Sequence, residues 1–256
     1  MKKLLLASVS SFALMGAAYG ADMTPAPAFK APPPPPVTWS GFYLGVDGGV
    51  ARHDADFNDL AGFFQSTGTY RTSATGGVLG GYAGFNVQDR SFVYGLEADI
   101  NWVGAKATEG WGGSVPSSST AQQSQDVPWV ATFRGRMGID FESTLFYFTG
   151  GLAVGQVKDS FNGFCGIGPC LGAPAGGLFG GFSEDVTRLG WTAGAGVEHM
   201  FSSHWTVRGE FRYVDLGRTT LACQQVLGGR CGPASNYRGE FSNTLMNGLV
   251  GIGYKF

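Results

Sequence analysis

Gly239-Glu-Phe-Ser-Asn-Thr-Leu-Met-Asn-Gly-Leu-Val-Gly-Ile-Gly-Tyr-Lys-Phe256 closes the chain. Counting back in twos places Phe256, Tyr254, Ile252 and Val250 on one face, with Met246 beyond Gly248. The other face carries Lys255, Gly253, Gly251, Leu249 and Asn247. A period of two marks a strand, because successive side chains leave the backbone on opposite sides. One face is apolar and aromatic; the other is small or polar, Leu249 excepted. An apolar face ending on an aromatic ring suits the boundary between hydrocarbon and water, where such rings concentrate. The segment therefore reads as a strand that meets lipid, and Phe256, Tyr254, Ile252 and Val250 as its membrane-insertion face.

The same alternation recurs upstream. Strand one, about Ser40 to Ala51, sets Phe42, Leu44, Val46 and Val50 against Tyr43, Gly45, Asp47 and Gly49. Strand two, Ala74 to Val87, sets Leu79, Ala83, Phe85 and Val87 against Tyr82, Gly84 and Asn86. In strand three, Phe92, Tyr94, Leu96, Ala98, Ile100 and Trp102 alternate with Val93, Gly95, Glu97, Asp99 and Asn101. Strand four opposes Trp129, Ala131, Phe133, Met137 and Ile139 to Val130, Thr132, Arg134, Arg136 and Asp140. Strand five, Thr144 to Val157, is ambiguous in register; Phe146, Phe148, Leu152 and Val154 are taken as outward. Strand six opposes Leu189, Trp191, Ala193, Ala195 and Val197 to Arg188, Thr192, Gly194 and Glu198. Strand seven opposes Trp205, Val207, Phe211 and Tyr213 to Thr206, Arg208, Glu210 and Arg212.

Short turns at Gln88–Ser91, Glu142–Ser143 and Phe201–Ser203 alternate with long polar stretches at Arg52–Arg71, Lys106–Asp126, Lys158–Asp185 and Leu216–Arg238. An even-stranded membrane barrel with both ends on the periplasmic side needs that asymmetry. The composition agrees: 43 glycines argue against helices, where each interior Gly costs about 1 kcal/mol relative to Ala. The expected fold is all-β, an eight-stranded antiparallel up-and-down transmembrane β-barrel.

The start of the chain points to export. Lys2 and Lys3 precede an apolar run from Leu4 to Ala17, and Ala18-Tyr19-Gly20 places small residues where a signal peptidase reads. The run is short and broken by Ser8, Ser10 and Ser11, so a spanning helix is the weaker reading. We expect a signal peptide at 1–20, a Pro-rich periplasmic spacer at 21–38, and the barrel at 39–256. Pro32 to Pro36 suit an extended spacer and cannot enter a sheet. A formal charge of −2 gives no case for nucleic acid.

The charged strand positions are Asp47, Glu97, Asp99, Arg134, Arg136, Asp140, Arg188, Glu198, Arg208, Glu210 and Arg212. All fall opposite the aromatic face. An Arg facing lipid at mid-depth costs about 2–4 kcal/mol, so these residues belong inside. Enclosed charges need partners. Neighbouring strands suggest Glu97 and Asp99 with Arg134 and Arg136, and Glu198 and Glu210 with Arg188, Arg208 and Arg212. Eight strands leave an interior only wide enough for side chains. A barrel-interior ionic core is thus expected rather than a conducting pore.

Cys165, Cys170, Cys223 and Cys231 all fall in long loops. An exported chain with an even number of cysteines most simply forms disulfides. Three pairings exist, and the two local ones are preferred over zinc, since Cys165 to Cys170 lacks close ligand spacing. His199 and His204 flank a turn and read as solvated rather than as metal ligands. No nucleophile elbow is present, and Gly194-Ala195-Gly196 has no helix after it. No enzyme activity, no cofactor and no metal are expected.

Three further segments carry a family likeness: Trp39-Ser-Gly-Phe-Tyr-Leu-Gly45, Gly95-Leu-Glu-Ala-Asp-Ile-Asn-Trp102 and Arg134-Gly-Arg-Met-Gly138. Together with the closing strand, they resemble the small outer-membrane surface proteins of alphaproteobacteria. That resemblance implies an OmpA-like eight-stranded barrel in a porin-type family that includes surface antigens and hemin-binding proteins. It implies an outer-membrane location, and partners in outer-membrane lipid and the barrel-assembly machinery. The expected role is structural and surface-interacting, with long extracellular loops available to an unknown ligand. Two alternatives stay open: a small-solute channel, or heme or adhesin binding through loop residues such as His53, Tyr70, Phe63 and Phe64.

Overall fold

A computed structural model of the chain describes residues 38–59, 68–112, 120–164, 178–222 and 238–256. The expected leader at 1–20 and the spacer up to 37 lie outside the described residues, as do Phe63, Phe64 and all four cysteines.

Ten strands follow one another: β1 (Gly41–Asp59), β2 (Gly68–Asp89), β3 (Phe92–Val103), β4 (Ala107–Gly112), β5 (Thr120–Asp126), β6 (Trp129–Phe141), β7 (Thr144–Phe164), β8 (Leu178–Met200), β9 (Trp205–Ala222) and β10 (Arg238–Lys255). Every ladder is antiparallel, and β10 returns to pair with β1. The ring runs β1-β2-β3-β6-β7-β8-β9-β10: eight strands, up and down, with no edge left open at its waist. Closure is what lets a sheet stand in hydrocarbon, where an unpaired backbone N–H or C=O costs several kcal/mol. β4 and β5 are not additional ring members. They continue β3 and β6 past short interruptions at Gly104–Lys106 and Val127-Pro128. Pro128 lacks an N–H, so it breaks the ladder; its carbonyl still accepts from the Val103 N–H at 3.0 Å.

One end has two-residue turns at Arg90-Ser91 and Glu142-Ser143. Arg90 and Glu142 take left-handed backbone angles, φ 56° and 58°, which a hairpin this tight demands. The opposite end holds the long connections. Between the ends runs an exposed apolar belt: Phe42 to Val50, Leu79 to Val87, Phe92 to Trp102, Phe133 to Phe141, Phe146 to Leu152, Leu189 to Val197, Trp205 to Phe211 and Met246 to Ile252, alternate residues in each case. In β7 the outward set is Phe146, Phe148 and Leu152, with Leu145, Tyr147 and Ala153 inside, which removes the ambiguity of register there.

The long connections expected from the sequence are shorter than anticipated. β1 runs on to Asp59, β2 begins at Gly68, β7 reaches Phe164, β8 begins at Leu178, and β9 reaches Ala222. The reason is an inversion of polarity. Beyond Val50 the outward residues of β1 are Arg52, Asp54 and Asp56, while His53, Ala55 and Phe57 are buried inside. A strand leaving lipid for water exchanges its apolar coat for a polar one without losing its period.

These projecting segments do not close a ring. The β8–β9 ladder stops at Trp191↔Asp215, although β8 continues to Leu178 and β9 to Ala222. The β2–β3 ladder stops at Val78↔Val103. Gly104 N–H still donates to the Gly77 carbonyl at 2.9 Å, and beyond it no ladder joins β2 to β4 among the described residues. The loop end therefore divides into two four-stranded sheets, β4-β5-β7-β8 and β2-β1-β10-β9, separated by two seams.

Candidate functional site: the barrel interior

Inward positions on β1, β3, β6, β8 and β9 bring Asp47, Glu97, Asp99, Arg134, Arg136, Glu198, Arg208, Glu210 and Arg212 into one cluster, each almost wholly buried. Arg134 lies at its centre. Its Nη2 meets Glu97 at 2.5 Å and Asp99 at 3.1 Å, and its Nη1 meets Glu210 at 2.5 Å. Arg208 reaches Asp47 and Glu97, both at 2.8 Å. Arg212 donates to Asp99 at 2.6 Å and to Glu210 on its own strand at 3.1 Å. Arg136 pairs with Glu198, and Thr132 donates to Asp99.

The pairing departs from the neighbour-strand scheme in one respect. Glu198 finds Arg136, two strands away, rather than Arg188, Arg208 or Arg212. The lumen is narrow enough for an arginine side chain to cross it, so depth in the barrel decides the partner more than strand adjacency does.

Two residues expected in the ionic core stand elsewhere. Asp140 is at the turn end, accepting from Trp39 Nε1 at 2.8 Å and Gln88 Nε2 at 3.0 Å. It lies four residues along β6 from Arg136, which places it past the arginines. Arg188 belongs to the projecting part of β8, where it bonds Glu184 at 3.1 Å and is partly exposed. Both share the inward parity of the core, but parity does not encode depth.

Tyrosines complete the cluster. Tyr43 donates to Glu97 at 2.9 Å and Tyr147 to Glu210 at 3.0 Å. The Arg208 guanidinium carbon stands 3.3 Å from the Tyr82 ring centre, and that of Arg136 stands 3.8 Å from that of Tyr147. Each ring lies over a glycine of the next strand: a Cβ on Gly84 would meet the Tyr43 hydroxyl at 2.3 Å, and one on Gly45 the Tyr82 ring at 2.3 Å. The parity of Tyr43 and Tyr82 with Asp47 and Asn86 was the available signal for these contacts, and reading aromatics only as lipid-facing misses it.

Apolar layers bound the ionic one. Trp39, Val93, Leu145, Tyr147 and Met200 pack on the turn side. Val103, Val130, Ala153, Val214, Leu245 and Leu249 belong to the cluster on the loop side. Beyond that second layer comes a polar group in the projecting sheets. His53 Nε2 is 2.8 Å from Asn243 Oδ1, and Asn243 Nδ2 is 3.4 Å from Asp159, which also accepts from Gln125 at 3.3 Å. Burial pushes the Asp159 carboxyl up to about 6 and holds the His53 imidazole below its usual value.

The other sequence candidates do not converge on these groups. His199 contacts Thr144 at 3.0 Å and His204 stacks on Tyr254, both at the turn end. Tyr70 stands opposite Phe57 in the β1–β2 ladder. Among the described residues, no group of three His, Cys, Asp or Glu side chains is placed to hold a metal ion.

A closed antiparallel ring with a lipid-facing coat and an ionised interior defines an outer-membrane β-barrel. The chain belongs to the outer membrane protein beta-barrel domain family, which it matches over residues 7–256. It is 33% identical to a 31 kDa outer-membrane immunogenic protein of Brucella melitensis biotype 1, across 86% of this chain and 90% of that one. It is 32% identical to a 22 kDa outer membrane protein of Rhizobium leguminosarum bv. viciae, across 73% and 69%. Among solved structures it is similar to the outer membrane protein OprG of Pseudomonas aeruginosa, at 15% identity and a TM-score of 0.49, covering 85% of this chain and 96% of that one. The protein is an outer-membrane barrel.

Proposed function

We propose that the protein is a closed, non-catalytic barrel whose projecting sheets and loops present a recognition surface outside the cell. One observation carries this reading: the ion-pair cluster is enclosed between apolar layers at both ends. A hydrated ion entering from either side would have to shed its water among valines and leucines before reaching a charge. The arginines and carboxylates then act as a packed interior that fixes the ring's shape. The relatives' description as immunogenic agrees with a surface that is accessible from outside. The exposed apolar belt takes outer-membrane lipid as its partner, and the aromatic end of β10 is the segment offered to the barrel-assembly machinery. Planar-bilayer recording on refolded protein tests the reading. Quiet traces are expected; large, long-lived conductance steps would overturn it in favour of a solute channel.

A further inference from the structure

The two projecting sheets are held to one another by side chains, because the backbone ladders between them have ended. His53 on β1 and Asn243 on β10 belong to one sheet; Asp159 on β7 belongs to the other. Asn243 reaches across to Asp159 at 3.4 Å. His53 reaches across with its second nitrogen, Nδ1, which is 3.3 Å from the carbonyl of Ala105, at the root of β4.

The donors and acceptors in this chain of contacts do not balance without an additional proton. The Ala105 carbonyl only accepts, so His53 Nδ1 must carry a hydrogen. A neutral imidazole then offers only a lone pair at Nε2. As placed, Asn243 presents Oδ1 to that nitrogen, an acceptor to an acceptor at 2.8 Å. The contact becomes a bond if Nε2 is also protonated, giving an imidazolium beside an ionised Asp159. Turning the amide over gives the other solution: Nδ2 donates to neutral Nε2, and Oδ1 faces Asp159, which must then carry the hydrogen. Both arrangements hold one proton more than a neutral histidine with an ionised aspartate. Without that proton, one contact in the chain is repulsive whichever way the amide points.

From this we infer that His53, Asn243 and Asp159 form a one-proton clasp that ties the two projecting sheets together and releases them when the proton leaves. The raised Asp159 carboxyl and the lowered His53 imidazole place the proton on Asp159 and its loss near or above pH 6. Four charged groups bear on the clasp. Asp126 from β5 and Asp54 from β1 approach His53, while Glu184 and Arg188 from β8 approach Asp159 and are paired with each other. The apolar layer beneath is untouched by the switch, so it alters the shape of the outer mouth and leaves the waist closed. Acid conditions hold the sheets together; alkaline conditions expose their inner faces.

Hydrogen–deuterium exchange on the refolded full-length protein, corrected for the intrinsic pH dependence of exchange, tests this. Between pH 5 and pH 8 the segments 159–164 and 238–243 should lose about tenfold in protection, the worth of one hydrogen bond of this kind. Segments at belt level should not change. Asp159→Asn supplies a permanent donor to the turned Asn243 amide and needs no proton, so it should hold high protection at both pH values. Asn243→Leu removes the bridge and should show low protection at both. A wild-type protein without the step, or a step of equal size in Asp159→Asn, would overturn the clasp; the latter result would assign the titration to Glu184 or another neighbour.

Discussion

At the waist of this barrel the outward side chains are Phe, Leu, Val and Trp and the inward ones are Asp, Glu and Arg; a few residues further along the same strands the order reverses. β1 contains both regimes, with Val46 and Val50 outward and Asp47 inward, then Arg52 and Asp54 outward with Ala55 and Phe57 inward. The backbone is continuous through the change. What differs is the solvent on the convex side. Lipid demands an apolar coat and leaves the narrow lumen to charges that satisfy one another; water accepts a polar coat and leaves the lumen to ordinary burial. Strand period is a property of the chain, whereas the direction of its polarity is a property of the surroundings.

The contrast can be broken most severely from the inside of the waist. Arg134→Ala should strand Glu97, Asp99 and Glu210 without their central partner and cost about 3–5 kcal/mol, read by denaturant unfolding of the refolded barrel through tryptophan fluorescence. Attacking the coat should cost somewhat less. Leu96→Arg, on a lipid-facing position of β3, should destabilise by about 2–4 kcal/mol in bilayers. Thr244→Arg, outward on β10 past the belt, should change stability by no more than about 0.5 kcal/mol.

Acidity sharpens the comparison at the projecting sheets. The Asp159 carboxyl is raised in the fold from 3.8 to about 6, so the folded state binds its proton more tightly than the unfolded chain does. Its contribution is complete below about pH 4 and is lost as pH rises through 6. The difference in unfolding free energy between wild type and Asp159→Asn should therefore drift across that window and level off above it. The smallest effect belongs to the exposed pair of Arg52 and Asp54. Arg52→Ala should cost less than about 1 kcal/mol and lose even that in high salt.

Much of the waist was legible before any coordinates. β3 alternates without a break from Phe92 to Trp102, and both faces of β3, β6 and β9 follow from the period alone. The projecting strands were not legible as strands. Their outward residues are charged, and a reading keyed to an apolar coat passes over Arg52 to Asp59 as loop. The site divided in a similar way. Parity put Asp140 and Arg188 with the core arginines because an inward position has a side but no height in a one-dimensional pattern. It also left Tyr43, Tyr82 and Tyr147 unassigned, although each braces a charged group or lies over a guanidinium.

By itself the sequence determined which residues face lipid and which are enclosed, since the penalty for an ion in hydrocarbon is large enough to admit a single phase for each strand. It also determined the closed ring, because alternating short and long connections leave few other ways to satisfy every backbone group. Only the tertiary structure decided which charges meet: that depends on strand stagger and the reach of an arginine across a narrow lumen. It alone decided where the wall divides into two sheets, because a ladder's end is set by how neighbouring strands diverge, and no residue type announces it.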